Sequence, residues 1–274
     1  MILIQLSNKF IVIYKKICYN YIIKQTVLYV KEVNMKNKNL YLRYIPMSFA
    51  AAFIIFFAVK NALYPPEGQQ VELWYLIFKT MPTIITLFVQ IMLISANRYA
   101  FLVGGINSAL YSIVYFIEGI TFSAISALVI SCFIQLYSFV TWGKNSKSTG
   151  KVALRFLNAK YRILTFAAAL GIWVTCYFWL SKYMVLKVPL LDTITFSLGI
   201  ICTVLSARRY IDSQYINLVS CLLGLLMWIM ITVQNPTNVN YVIIQIYNVY
   251  CVGQAAVNWT LIYRKDKKEN AKNV

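Results

Sequence analysis

Long apolar stretches separated by short polar segments run through most of the chain. Each stretch has close to the 20 or so residues that an α-helix needs to cross the hydrocarbon core of a bilayer. Apolar runs of this length predict membrane-spanning helices rather than the shorter buried helices of a soluble domain. Eight stretches qualify, at residues 46–64, 74–95, 99–117, 121–142, 163–180, 189–205, 215–233 and 241–263.

The composition agrees with this pattern. Hydrophobic residues make up 60% of the 274 residues and charged residues only 12%, whereas soluble domains carry about 25% charged residues. The fold class that we predict is therefore an all-α integral membrane protein with about eight transmembrane helices.

The net charge of +18 reflects topology rather than a nucleic-acid partner, because basic residues collect in every second loop. Cytoplasmic loops carry an excess of Lys and Arg, so the amino and carboxyl termini are expected in the cytoplasm, at a bacterial cell membrane. Loops 65–73 and 234–240 carry no Lys or Arg and are expected outside. Only four basic residues, Lys60, Lys79, Lys182 and Lys187, lie on the opposite side, where a long side chain snorkels to the headgroups.

Chemistry-bearing residues are sparse. The chain has no histidine, which removes the commonest general base and metal ligand, and its six cysteines stand singly, without metal or disulfide spacing. The carboxylates in or beside the spans occur in no paired motif. We therefore expect no enzyme activity, no metal and no cofactor. These carboxylates are Glu72, Glu118, Asp192 and Asp212.

The first 34 residues mix Ile, Tyr and Lys and match neither a signal peptide nor a spanning helix. Met35 is the better biological start. The preceding residues are then either an over-extension of the chain or a basic surface helix, a choice that N-terminal sequencing decides.

A short internal repeat suggests how the spans are organised. Ser95, Ala96, Arg98 and Tyr99 recur 111 residues later as Ser206, Ala207, Arg209 and Tyr210. Two three-helix units joined by one helix are parallel repeats, a common construction of transporters. The predicted organisation is a basic cytoplasmic segment (1–45), an extra helix (46–64), a first repeat (74–142), a basic loop with a linker helix (143–188), a second repeat (189–263) and a basic cytoplasmic tail (264–274).

Amide and aromatic side chains recur at helical spacing within these spans. Polar side chains inside a bilayer usually face the bundle interior or a cavity. Amides donate and accept hydrogen bonds and aromatic rings offer stacking faces, so this lining suits a neutral or weakly cationic heterocycle with hydroxyl groups. The candidate substrate-binding residues are Asn107, Tyr111, Gln135, Gln214, Asn217, Trp228, Asn248 and Gln254.

Each of these side chains also suits a structural role, since interhelical hydrogen bonds stabilise membrane helix pairs by about 0.6 kcal/mol each. Trp74, Trp142 and Trp259 stand at span ends and are expected to anchor there at the membrane interface. Lys79 is expected to snorkel. Asp192 is expected either to cap the sixth helix or to form a polar entry on the external side.

Four segments of the chain resemble the PnuC vitamin transporters, which import nicotinamide riboside and related vitamins. The resemblance covers about residues 74–268. Residues 46–64 are then an extra span that some members of this family have. The segments are NRYAFLVGGINSALYSIVYF (97–116), FIQLYSFVTW (133–142), SARRYIDSQYINLV (206–219) and GQAAVNW (253–259).

This resemblance implies a 3+1+3 bundle like that of full-length SWEET sugar transporters, and facilitated diffusion of a vitamin precursor through alternating access. It also implies a homo-oligomer, a trimer, and a cytoplasmic kinase that traps the product by phosphorylation. The chain has no phosphate-binding loop of the G-x-x-x-x-G-K-[ST] type.

The chain departs from the family at one motif. Riboside importers usually carry Glu-Asn-Trp-x-x-Trp after the basic junction, and here residues 212–217 read DSQYIN. Gln214 and Asn217 replace two stacking rings by hydrogen-bonding groups. The predicted ligand is therefore nicotinamide riboside-, thiamine- or nucleoside-like. The alternative function is a membrane substrate-binding subunit or receptor without transport activity of its own.

Overall fold

The computed structural model describes residues 35–64, 73–144, 154–184 and 186–272. The segment before Met35, whose origin the sequence leaves open, lies outside these residues. The compact unit discussed below is Met47–Val274. The helices are α1 (Met35–Leu63), α2 (Leu73–Ile94), α3 (Tyr99–Ile117), α4 (Thr121–Ile125), α5 (Phe133–Lys144), α6 (Ala159–Phe178), α7 (Pro189–Ala207), α8 (Asp212–Gln234) and α9 (Val239–Lys272).

Within the described residues, seven spans are long and apolar enough to cross a membrane, and α4 and α5 together form part of one of them, Thr121–Gly143. The predicted third span coincides with α3, and the predicted sixth begins with α7 at Pro189. Helix α9 is longer than any of the seven, but its amide side chains dilute its apolar character. The predicted all-helical membrane fold is confirmed.

The span made by α4 and α5 is interrupted by a π-helical segment, Ser126–Cys132. The neighbouring α3 packs closely against it at two glycines. A Cβ added to Gly105 would lie 3.3 Å from the Cys132 carbonyl oxygen, and one added to Gly104 would collide with the Gln135 side chain. Small residues of this kind let membrane helices approach closely.

Helices α2 and α7 end in the same way. The residue after the helix is left-handed although it is not glycine, with φ of 51° at Ala96 and 64° at Arg209. At each end the next backbone N–H reaches back five residues, from Asn97 to the Met92 carbonyl and from Tyr210 to the Leu205 carbonyl, both at 3.0 Å. This is the Schellman ending of a helix. Backbone geometry thus pairs Ala96 with Arg209, two residues out of register from the match in sequence.

Two tryptophans that the sequence places at the membrane interface are in fact buried. Trp142 and Trp259 are both 0% exposed, and their rings lie 5.5 Å apart. The Trp142 indole N–H donates to the Ser206 carbonyl at 3.3 Å, and that of Trp259 donates to the Leu93 carbonyl at 3.0 Å. The expectation of interfacial anchoring is therefore wrong for both, because neighbouring helix ends supply the acceptors that the headgroups would supply. Trp74 is 58% exposed.

Helix α6 lies at the periphery of the bundle. Cys176 is its only buried residue, while the apolar side chains of Ile163 and Phe166 are each 71% exposed. One hydrogen bond reaches it from α7, where the Ser197 hydroxyl donates to the Ala169 carbonyl at 2.5 Å. Such an exposed apolar surface on a spanning helix fits contact with lipid.

The bundle has two chemically different ends. The end where α2, α5 and α7 finish and α3, α6 and α8 begin carries most of the described arginines and is called the basic end below. The opposite end, where α3 and α8 finish and α2, α7 and α9 begin, holds Glu118 and is called the Glu118 end.

Candidate functional site

Four aromatic rings from three helices meet inside the bundle and form the aromatic cluster. Trp228 of α8 stacks on Tyr241 of α9, with ring centroids 4.2 Å apart and planes 19° from parallel. Tyr115 lies 5.9 Å from Trp228. Tyr111 lies 5.4 Å from Tyr115 and 6.3 Å from Tyr241. The cluster joins α3 to the two last helices of the chain.

Polar groups of α2 and α3 border the aromatic cluster. The Asn107 amide N–H donates to the Thr86 hydroxyl at 2.9 Å and to the Pro82 carbonyl at 3.1 Å. The Thr86 hydroxyl lies 3.1 Å from the hydroxyl of Tyr111. Asn107 is buried, and its side-chain oxygen has no hydrogen-bond partner among the described residues. A buried amide oxygen without a partner is costly.

A chain of three amides, the amide layer, lies one helical turn from the aromatic cluster toward the basic end. Gln90 donates to Asn248 at 3.0 Å, and Asn248 donates to Gln245 at 3.3 Å. The Gln90 oxygen is buried and also lacks a partner within the described part of the chain. Gly224 leaves room for this layer, because a Cβ there would lie 3.4 Å from the Gln245 nitrogen.

The two layers together offer flat aromatic faces beside amide donors and acceptors, without a formal charge. Thr86 and Gln90 of α2, Gly224 and Trp228 of α8, and Tyr241 and Gln245 of α9 are each four residues apart, so each of these three helices has residues at the level of both layers. A planar ring that carries hydroxyl or amide groups matches this arrangement, since stacking and hydrogen bonding are available within one helical turn.

Glu118 closes the bundle beyond the aromatic cluster. Its carboxylate, 1% exposed, lies 2.5 Å from the Lys79 ammonium and 3.6 Å from that of Lys187. It also accepts hydrogen bonds from Asn238 at 2.7 Å and from Tyr75 at 3.1 Å. Burial by itself raises the pKa of the Glu118 carboxyl, but Lys79, Asn238 and Lys187 together hold that pKa below its ordinary value.

This ion-pair cluster corrects one expectation. Lys79 does not snorkel to the headgroups, since its side chain is 4% exposed. Lys79 lies on α2 and Glu118 directly follows α3, 39 positions later, and no spacing rule in the sequence connects them. The cluster is tied to the aromatic cluster because the Tyr241 hydroxyl donates to the Lys79 carbonyl at 2.8 Å.

Two further described carboxylates, Asp192 and Asp212, have structural partners. Asp192 of α7 accepts from the backbone N–H groups of Phe122 and Ser123 at 3.1 and 2.9 Å, so it caps α4 rather than its own helix. Asp212 lies 2.8 Å from the Arg162 guanidinium and accepts from the Leu157 N–H at 2.8 Å. Both therefore join segments that are distant in sequence.

The structure brings half of the candidate residues together. Tyr111 and Trp228 belong to the aromatic cluster, Asn107 borders it, and Asn248 belongs to the amide layer. The other four make their contacts elsewhere. Gln135 donates to Ser108 at 2.9 Å, Gln214 is 2% exposed with an unpartnered oxygen among the described residues, Asn217 accepts from Cys221 at 3.7 Å, and Gln254 donates to Tyr250 at 2.6 Å.

Several site residues are not among the candidates from sequence. Tyr115 and Tyr241 complete the aromatic cluster, and Thr86 and Gln90 supply the contribution of α2. The spacing of Thr83, Thr86 and Gln90, three and four residues, marks one face of α2 and is the signal that identifies this contribution. No group of three or more His, Cys, Asp or Glu side chains comes together in the described residues.

Comparison with known proteins places the chain in a family. The family model described as "Nicotinamide mononucleotide transporter" matches residues 76–260, more than half of the chain. The fold resembles the crystal structure of the vitamin B3 transporter PnuC, with a TM-score of 0.62 and 18% sequence identity over 79% of this chain and 92% of that one. No curated protein matches the sequence. The chain therefore belongs to the nicotinamide mononucleotide transporter family and is a multi-pass membrane transport protein.

Proposed function

We propose that this protein carries a neutral or weakly cationic vitamin precursor, nicotinamide riboside-, thiamine- or nucleoside-like, across a bacterial cell membrane by facilitated diffusion. The family description names nicotinamide mononucleotide, and the similar crystal structure is that of a vitamin B3 transporter. Both names refer to compounds that contain a flat pyridine ring.

The observation that carries the proposal is the pair of unpartnered amide oxygens beside stacked rings. Asn107 and Gln90 each bury a side-chain oxygen that has no partner among the described residues. Asn107 borders the aromatic cluster, and Gln90 belongs to the amide layer. A ligand that inserts between Trp228 and Tyr115 would stack on an aromatic face and donate hydroxyl or amide hydrogens to these oxygens.

Alternating access is the mechanism that we propose, with one three-helix repeat (74–142) rocking against the other (189–263). Support comes from the exchange of tryptophan contacts between these halves. Trp142 of the first donates to Ser206 of the second, and Trp259 of the second donates to Leu93 of the first. Reciprocal contacts of this kind are what an axis along the membrane normal produces.

In this proposal the described conformation is closed on the external side by the ion pairs of Glu118 with Lys79 and Lys187. The basic end faces the cytoplasm together with both termini, as the positive-inside rule requires. A cytoplasmic kinase would trap the product by phosphorylation, and the carrier would assemble as a homo-oligomer, a trimer. The residues proposed to bind the ligand remain Asn107, Tyr111, Trp228 and Asn248 in the layers, with Gln135, Gln214, Asn217 and Gln254 on the surrounding faces.

Liposomes that contain the purified protein and no nucleotide test this proposal. Labelled nicotinamide riboside, thiamine and uridine are supplied outside, and we expect at least one to equilibrate to equal concentrations on both sides. Asn107→Leu removes the unpartnered oxygen but keeps the branched shape of the side chain, and it is expected to slow uptake about tenfold or more.

Ser112→Ala is the matched control, because Ser112 is buried on the same helix but donates only to its own helix, at the Ala109 carbonyl. It should transport like the wild type. Tight binding of a ligand without flux would instead establish the receptor alternative. Equal transport by Asn107→Leu and the wild type would remove Asn107 from the site.

A further inference from the structure

A cavity of about 370 Å³ opens at the basic end, between the ends of α5 and α7. Its polar wall consists of three arginines, Arg155, Arg208 and Arg209, with Thr141. Neither the aromatic cluster nor the amide layer contributes a residue to it. The cavity is therefore separate from the proposed transport site.

Backbone contacts fix the arginines in place. Arg155, which precedes α6, pairs with the α7–α8 junction: its N–H donates to the Arg209 carbonyl at 3.2 Å, and its carbonyl accepts from the Ile211 N–H at 2.9 Å. The Arg155 guanidinium lies 4.4 Å from the centre of the Tyr210 ring. Arg209 occupies the left-handed position that ends α7. The backbones of Arg155 and Arg209 are thus fixed at the cavity that all three arginines line.

No carboxylate of the described residues forms an ion pair with any of the three arginines. The contrast with Arg162 is informative, since it lies on the same end and pairs with Asp212 at 2.8 Å. Burial, with a smaller contribution from the charge of Arg155, lowers the pKa of the Arg209 guanidinium. Like charges held together at a cavity are relieved by an anion from outside the chain.

The rest of the cavity wall is apolar and belongs to spanning helices. Ile134 and Tyr137 come from α5 and Val204 from α7. Tyr137 is 64% exposed and stands two turns before the end of its span, so the cavity is open toward the lipid-facing surface. A molecule that fills it meets guanidinium groups at one end and hydrocarbon-like surface at the other.

We propose that this cavity binds the phosphate group of an anionic phospholipid. Arginine guanidinium groups match phosphate oxygens in paired hydrogen bonds, and anionic lipids are attracted to basic clusters at the membrane surface. The first part of an acyl chain lies along Tyr137 and Ile134. The phosphate of a soluble compound would satisfy the arginines but would leave this apolar wall uncovered.

Lipid binding to the purified protein in a neutral detergent is the direct test. Phosphatidylglycerol, phosphatidylcholine and sodium phosphate at matched ionic strength are titrated separately, and bound lipid is counted by native mass spectrometry beside the unfolding temperature. We expect phosphatidylglycerol to bind and to raise the unfolding temperature, and the other two to have little effect.

The variants Arg155→Gln, Arg208→Gln and Arg209→Asn each remove one charge, and Asn tolerates the left-handed backbone at position 209. Each is expected to weaken phosphatidylglycerol binding about tenfold. Lys160→Gln removes a charge from the same end outside the cavity and is expected to bind like the wild type.

Three results would overturn the proposal. The first is wild-type affinity in the variant that lacks all three arginines. The second is a loss in Lys160→Gln as large as that in each arginine variant, which would mean general surface attraction. The third is stabilisation by sodium phosphate equal to that by phosphatidylglycerol, which would assign the cavity to a soluble phosphate compound instead of a lipid.

Discussion

Charged side chains gather at both ends of this bundle, but the two ends differ in whether those charges have partners of opposite sign. At the Glu118 end, Lys79 and Lys187 share one carboxylate that is 1% exposed. At the basic end, Arg155, Arg208 and Arg209 surround a cavity without a carboxylate partner among the described residues. The charges at the Glu118 end are therefore paired with one another within the protein, whereas the three arginines of the cavity are left to bind an anion from outside it.

The largest expected effect is at the Glu118 end. Glu118→Gln leaves Lys79 buried without its counter-charge and should destabilise the protein by about 3–5 kcal/mol. Chemical unfolding in detergent measures this change. The double variant Lys79→Met with Glu118→Leu removes both charges and is expected to recover most of the loss. If Glu118→Gln is as stable as the wild type, Lys79 and Glu118 do not form a buried ion pair in solution.

Substitution of either paired tryptophan at the basic end should destabilise the protein less than Glu118→Gln does. The two tryptophan variants should be destabilised equally. Trp142→Phe and Trp259→Phe each remove one indole N–H bond to a backbone carbonyl and leave a small cavity, and each should cost about 2 kcal/mol. Unfolding in the same detergent compares them directly. A cost at only one position would contradict the equivalence of the two contacts.

The ion pair between Asp212 and Arg162 should matter less. Arg162 is 52% exposed, and exposed pairs contribute about 1 kcal/mol or less. Asp212→Asn keeps an acceptor for the Leu157 N–H and is expected to cost about 0.5 kcal/mol, with a loss that shrinks as salt is added. A loss that is independent of salt would mean that the backbone contact, not the ion pair, carries the stability.

The smallest expected effect separates the two ends most clearly. In detergent without anionic lipid, Arg208→Gln should change the free energy of unfolding by no more than about 0.5 kcal/mol, because no described carboxylate loses a partner. A large destabilisation would reveal a partner for Arg208 within the protein. Charge at the basic end would then be paired internally, as it is at the Glu118 end.

Much of the fold is readable from single segments. The bounds of α3 and the start of α7 follow from apolar runs bordered by polar residues, since the bilayer sets the length of a span. The site is only partly readable. Asn107, Tyr111 and Trp228 stand out as polar or aromatic residues inside spans, but Tyr241 stands at a span end and looks like an interfacial residue.

The sequence by itself determined that this chain spans a membrane as a helical bundle and that amide and aromatic side chains recur inside its spans. Only the tertiary structure decided which of these side chains meet. The stacking of Trp228 on Tyr241, the pairing of Lys79 with Glu118 and the burial of Trp142 and Trp259 depend on the rotation of each helix about its axis. Packing between helices sets that rotation, because lipid gives little preference among apolar faces.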